Sequence, residues 1–288
     1  MSNLFKIALV ALLLVWGSCN ILGDDGGDET TQAGKFEVVE FLPAPGQFVN
    51  EDYTAKTMDE ACKYAQERLE NRYFVSLGGF GGYIVVRFAE PIKNNDGYDL
   101  GIYGNSHATS SEPGIVWVAQ DVNGNGAADD EWFELYGSDS ESATTLRNYS
   151  ISYSRTEDET KISWCDSEGA DGVIERNSAH KQDYFPQWVT EREYALTGTL
   201  LPDNAVWNES IQEWDLLPLR WGYADNFSSM DSSERGLNLF NISNAHTANG
   251  ELVNISQIDF VKVQSAVNVV HAPIGETSTE ICGFVVYN

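Results

Sequence analysis

Apolar residues fall along this chain in short runs rich in β-branched and aromatic types, parted by clusters of Gly, Asn, Asp and Ser. That pattern predicts strands at Tyr83–Phe88, Tyr98–Tyr103, Ile115–Ala119, Trp132–Tyr136, Tyr149–Ser154, Leu237–Ile242, Ile258–Val263 and Ile281–Tyr287. A further strand at 36–41 is ended by the Pro43-Ala-Pro-Gly46 turn. Only residues 57–71 carry a helical period. Thr57 and Glu60 form a capping box there, and Met58, Ala61, Cys62, Ala65 and Leu69 share one face. The stretch 177–235, broken by Pro186, Pro202 and Pro218, reads as irregular loops. No second helix of this quality and no internal period appears, which argues against α/β, propeller and solenoid folds. The expectation is an all-β protein, a β-sandwich of jelly-roll type with one N-terminal helix and long irregular loops.

The first residues form a different pattern. Lys6 precedes an apolar run from Ile7 to Trp16, closed by Gly17-Ser18-Cys19. A run this short falls below the about 20 residues that a membrane-spanning helix needs, and it fits a secretory signal peptide over 1–18. Cysteine after small residues looks like the lipobox of bacterial lipoproteins, with Cys19 the lipidation site, although Trp16 stands where such boxes usually carry Leu. The alternative is an ordinary signal peptide with an incidental cysteine. Residues 19–35, with Asp24, Asp25, Asp28 and Glu29, read as a solvated acidic tether. An acidic stretch behind the cysteine resembles the export signal of Bacteroidota surface lipoproteins; as a plain linker it would leave the protein facing the periplasm. Residues 36–288 read as a single β-sandwich domain, with no linker to divide it.

Charge narrows the partners. The chain has 44 acidic and 17 basic residues, a net charge of −27. Such a surface repels phosphate backbones, so nucleic acid is not an expected partner. The membrane link is the lipid anchor alone, at an outer membrane, facing the exterior. A negative field does suit divalent cations. Beyond Cys19, the cysteines Cys62, Cys165 and Cys282 are an odd number without CxxC spacing, which predicts buried free thiols rather than a disulfide framework or zinc site.

Candidate chemistry is clearest at residues 121–131. Oxygen side chains at Asp121, Asn123, Asn125 and Asp129, with Gly126 at the sixth position, follow the calcium-loop pattern, Asp130 adds a carboxylate, and Ala127 would offer its carbonyl. A hard cation wants six to eight oxygens, and alternate residues of a tight loop can converge on it. Trp132 occupies the twelfth place and the flanks read as strands, so this is a calcium loop between β-strands rather than an EF-hand. The expected cofactor is structural calcium, with affinity on the order of 10⁻⁴–10⁻³ M. The rival reading is a polar hairpin loop whose Asn-Gly repeats serve turn geometry.

No catalytic motif emerges. His107, His180, His246 and His271 form no metal spacing, and Leu77-Gly-Gly-Phe80-Gly-Gly82 lacks the following helix of a phosphate cradle, so its glycines are expected at a close backbone approach. Acidic residues are too abundant for their number to nominate a glycosidase pair. The aromatic set Tyr184, Phe185, Trp188, Trp207, Trp214, Trp221 and Tyr223 is more suggestive. Tyr184, Trp188, Trp207 and Trp214 are the candidate ligand-binding residues, able to form a platform for a sugar or planar ring. The alternative is a satellite core beneath long loops.

Several ordered motifs add to this reading: Pro43–Asn50, Val75–Ile84, Tyr98–Asn105, Ser111–Val118, the loop at 121–131, Leu201–Asn204, Ile258–Val263 and Gly275–Glu280. Together they resemble a family of Bacteroidota cell-surface lipoproteins. The resemblance implies, by association with loci for cobamide (vitamin B12) uptake, non-enzymatic ligand capture for a TonB-dependent outer-membrane transporter. The alternatives are a surface carbohydrate-binding module, a glycoside hydrolase and a structural surface protein.

Overall fold

A computed structural model describes residues 31–32, 35–156, 161–232, 236–272 and 274–287. The expected signal peptide, Cys19 and most of the tether lie outside the described residues. At the tether's far end Thr31–Gln32 pairs with Val286–Tyr287, so strand pairing begins before the boundary expected at residue 36. Among the described residues no helix is long and apolar enough to cross a membrane.

The chain folds as an all-β sandwich. A six-stranded antiparallel sheet runs in the spatial order Ala245–His246, Trp132–Leu135, Gly114–Ala119, Gln257–Ser265, Tyr83–Lys93, Phe36–Leu42. Period-two alternation sends Val261 and Val263, with Ile84, Val86, Val116 and Val118, to one face. There they meet Leu100, Ile102, Phe240, Phe284 and Val286 of a second sheet, ordered Thr31–Gln32, Gly283–Tyr287, Leu100–Tyr103, Leu237–Phe240. Burying this apolar area from both sheets at once is the main stabilising term.

The helix Met58–Glu70 closes one side of that core through Ala61, Cys62, Ala65 and Leu69. Thr57 Oγ1 accepts from the Glu60 N–H at 3.2 Å, as a capping residue should. Glu60 Oε2 reaches back to the Lys56 N–H at 2.8 Å, one residue further than a capping box requires.

A third sheet, ordered Asp171–Glu175, Lys161–Asp166, Leu146–Arg155, Glu193–Leu200, covers a separate core of Phe80, Tyr149, Ile151, Tyr153, Phe185 and Leu196. Residues 177–235 are therefore more regular than expected. They contain the strand Glu193–Leu200 and a hairpin of Ala205–Asn208 with Glu213–Leu216. Gly198 interrupts the β-branched pattern of the strand Glu193–Leu200, and pairing with Leu146–Arg155, distant in sequence, carries the strand past it. The strand expected over Ile281–Tyr287 is interrupted at Cys282, leaving Glu280–Ile281 to pair with Val75–Ser76.

The glycine-rich segment serves close approach. A Cβ on Gly78, whose φ is +67°, would lie 1.9 Å from the Ala44 carbonyl oxygen. Among the described residues Cys62 and Cys282 are buried as expected, whereas Cys165 is an exposed free thiol, its side chain turned outward on the strand Lys161–Asp166.

Candidate functional site

The loop at 121–131 joins Gly114–Ala119 to Trp132–Leu135, two neighbouring strands of the six-stranded sheet. Its polar side chains converge. Asp121 accepts from the N–H groups of Asn125 (3.1 Å) and Gly126 (2.9 Å), drawing the chain into a ring. Asn123 Oδ1 also accepts from Asn125 N–H, and Asn125 Oδ1 from Ala127 N–H. The amides of Asn123 and Asn125 both donate to the Asp129 carboxylate, which holds it below its usual range. Gly126, at φ +73°, allows the turn. Asp121, Asn123, Asn125 and Asp129 are thus tied into one hydrogen-bonded ring, in which Asn123 and Asn125 turn amide N–H groups toward Asp129. Asp130 is occupied differently, accepting from the Val122 N–H at the loop's base. Asp259, from the strand Gln257–Ser265, accepts from the Asp121 N–H at 2.8 Å. No local spacing could have indicated that anchor.

The four aromatic candidates do not form one face. Tyr184 is 1 % exposed, and its hydroxyl donates to the His180 carbonyl at 3.0 Å, so it belongs to the core beneath the third sheet. Trp188 packs against the sandwich core, near the rings of Phe41 and Tyr53. For these two residues the expectation of a recognition face is corrected: the apolar cores claim both rings. Trp207 and Trp214 stand opposite each other on their hairpin, edge to face with centroids 5.3 Å apart. Trp207 is 37 % exposed, and Trp214 also lies 4.3 Å from the His271 ring.

A cleft of about 320 Å³ opens on the face of the six-stranded sheet away from the sandwich core. Tyr83 and Lys262 line it, with Ala128 and Trp132 on the side of the loop at 121–131 and Leu196 and Thr197 on the third-sheet side. The Lys262 ammonium lies 4.9 Å from the Trp117 ring centroid, 5.1 Å from Trp132 and 5.9 Å from Tyr83. Burial pushes Lys262 down to about 8. Among the described residues no carboxylate lies within ion-pairing distance of it. Glu40, at the cleft's edge, accepts from the Tyr83 hydroxyl at 3.0 Å. Gln264 donates through Nε2 to the carbonyls of Gly81 and Thr197, while its buried Oε1 has no partner. Lys262 and Gln264, polar residues alternating with Val261 and Val263, were the available sequence signal for this site.

Sequence reasoning also missed a buried acidic cluster. Oxygens of Glu112, Asp225 and Glu280 lie within 4.8 Å of one another, a span that one divalent cation could bridge. Asp225 accepts from the N–H groups of Asn105 and Glu280, and Glu112 from that of Ser278. Burial pushes all three carboxyls upward, and repulsion from Glu112 adds to the rise at Asp225 and Glu280. Nearby Glu276, buried and accepting from the Gln47 N–H, is pushed up to about 8 by burial. Glu112, Glu276 and Glu280 fall within two of the motifs that carry the family resemblance, Ser111–Val118 and Gly275–Glu280.

Comparison with protein-family models and with curated proteins gives no match.

Proposed function

We propose that this chain is a lipid-anchored protein of the bacterial cell surface that captures a small ligand without chemical turnover, in a cleft supported by a calcium loop. The observation that carries the reading is the place of Trp132. It follows the loop directly and lines the cleft with Lys262 and Tyr83. A cation held by Asp121, Asn123, Asn125 and Asp129 would fix the loop, and through it the aromatic wall. Concavity, apolar lining and a few unpaired polar atoms are what small-molecule sites have in common.

The cleft's volume lies at the low end of the about 300–1,000 Å³ typical of such sites. It suits one or two sugar rings and favours the carbohydrate-binding reading. A cobamide, far larger, would extend well beyond it. Cobamide capture for a TonB-dependent transporter has different support: the family resemblance, and the exposed Trp207 beside the half-buried Trp214, against which a planar macrocycle could lie. Glycoside hydrolysis normally needs two carboxyl groups across the scissile bond, and the cleft's lining includes one carboxylate, Glu40.

Isothermal titration of the purified chain against a glycan panel and cobamides, with calcium or with chelator, tests the proposal. Saturable binding that weakens in chelator is the expected result. Absence of binding to every ligand in calcium would overturn it.

A further inference from the structure

Lys262 is anomalous in this chain. With 44 acidic residues to 17 basic ones, a lysine can readily find a carboxylate, and burial makes one more valuable. Yet Lys262 lies among Trp117, Trp132 and Tyr83 with no contact ion pair among the described residues, and Glu40, at the cleft's edge, offsets its burial only in part. Ring faces attract the ammonium, but they offset only part of the cost of taking it out of water. Near it, Gln264 Oε1 is a buried acceptor without a donor, on a residue 3 % exposed. The cleft thus offers one unpaired cation, an unpaired acceptor, the Glu40 carboxylate at its edge and an indole wall.

We propose that the cleft over Lys262 receives a terminal uronic acid residue of a glycan, with the sugar carboxylate on the Lys262 ammonium and the ring against Trp132. This rests on the capture reading and names its ligand class. A single carboxylate matches a single ammonium, and the charge-assisted hydrogen bond between them is stronger in a partly dry cleft than in water. Ring hydroxyls supply donors for Gln264 Oε1 and Glu40, and the apolar face of a pyranose suits an indole. A neutral hexose would leave the ammonium unpaired. A phosphate dianion would bring a second charge with no second cation to meet it, and Glu40 would oppose it more strongly than a single carboxylate. The net charge of −27 also opposes a dense polyanion, which places the acid at the end of an otherwise neutral chain.

The test uses the purified chain in calcium and three trisaccharides that differ only at the terminal residue: glucuronic acid, its methyl ester, and glucose 6-phosphate. The acid should bind about tenfold or more tighter than the ester. Lys262→Met, which keeps the side chain's length without its charge, should weaken the acid by a similar factor and leave the ester unchanged. Thermal melting of the variant confirms that it folds, and Lys262→Arg should retain the preference for acid over ester. Equal binding of acid and ester, tighter binding of the phosphate, no binding of the acid, or an unchanged affinity in a folded Lys262→Met chain would each overturn the assignment. Binding of a neutral glycan or a cobamide alone would sink the uronate but leave ligand capture standing; no binding by any ligand would sink both.

Discussion

Lys262 and Trp117 stand directly opposite each other on adjacent strands of the six-stranded sheet, with the ammonium 4.9 Å from the indole centroid. Cross-strand pairs of this kind normally stabilise a sheet by modest amounts. Here the pair also places a desolvated cation in a cleft. The sheet's other face is occupied by Val261 and Val263 in the sandwich core, so one strand carries both the fold and the candidate site.

Calcium binding at the loop 121–131, as proposed, predicts a thermal signature. Millimolar calcium should raise the melting temperature of the chain relative to chelator, because a ligand bound only by the native state stabilises it by mass action. Asp121→Ala should abolish most of that rise, since Asp121 holds the first position of the calcium-loop pattern and draws in the Asn125 and Gly126 N–H groups. Identical melts of the wild type in calcium and chelator would favour the turn-only reading.

The buried acids predict an inverted pH dependence. Glu276 titrates at about 8 in the folded chain, above its usual range, and Asp225 and Glu280 move the same way. Between that range and about 8 the folded state holds protons that the unfolded state has lost, so stability falls as pH rises. Lys262, depressed to about 8, acts oppositely and only above that value, where its penalty is relieved. In chelator, the melting temperature should therefore be higher at pH 5.5 than at pH 8. A melting temperature that climbs over this interval would show that these carboxyls are ionised in the native state.

Two aromatic substitutions separate core from surface. Tyr184→Ala should cost about 3–5 kcal/mol in denaturant unfolding, as for other large buried rings. Trp207→Ala, at an exposed hairpin position, should cost less than about 1 kcal/mol. Comparable losses from both would mean that the hairpin is part of the core.

Anchoring is tested at the N-terminus. Cys19→Ala should release the chain from the membrane fraction and abolish palmitate labelling. Protease added to intact cells should digest the wild type while sparing periplasmic controls. A Cys19→Ala chain that still sediments and labels would remove the lipoprotein reading.

The sequence by itself determined the all-β class, the helix expected over 57–71, most strands and the polar loop at 121–131. Each depends on local chemistry: β-branched and aromatic runs, a capping threonine, oxygen side chains at alternate positions beside Gly126. Tertiary structure decided the rest. Tyr184 and Trp207 look alike in sequence, yet one lies under the third sheet and the other on a hairpin, because burial depends on which strands pass over a residue. The Lys262 cleft combines Tyr83, Trp132 and Thr197, and the acidic cluster combines Glu112, Asp225 and Glu280. Antiparallel pairing between distant segments brings these residues together, and that pairing is settled by the joint burial of sheet faces, which no single window of sequence contains.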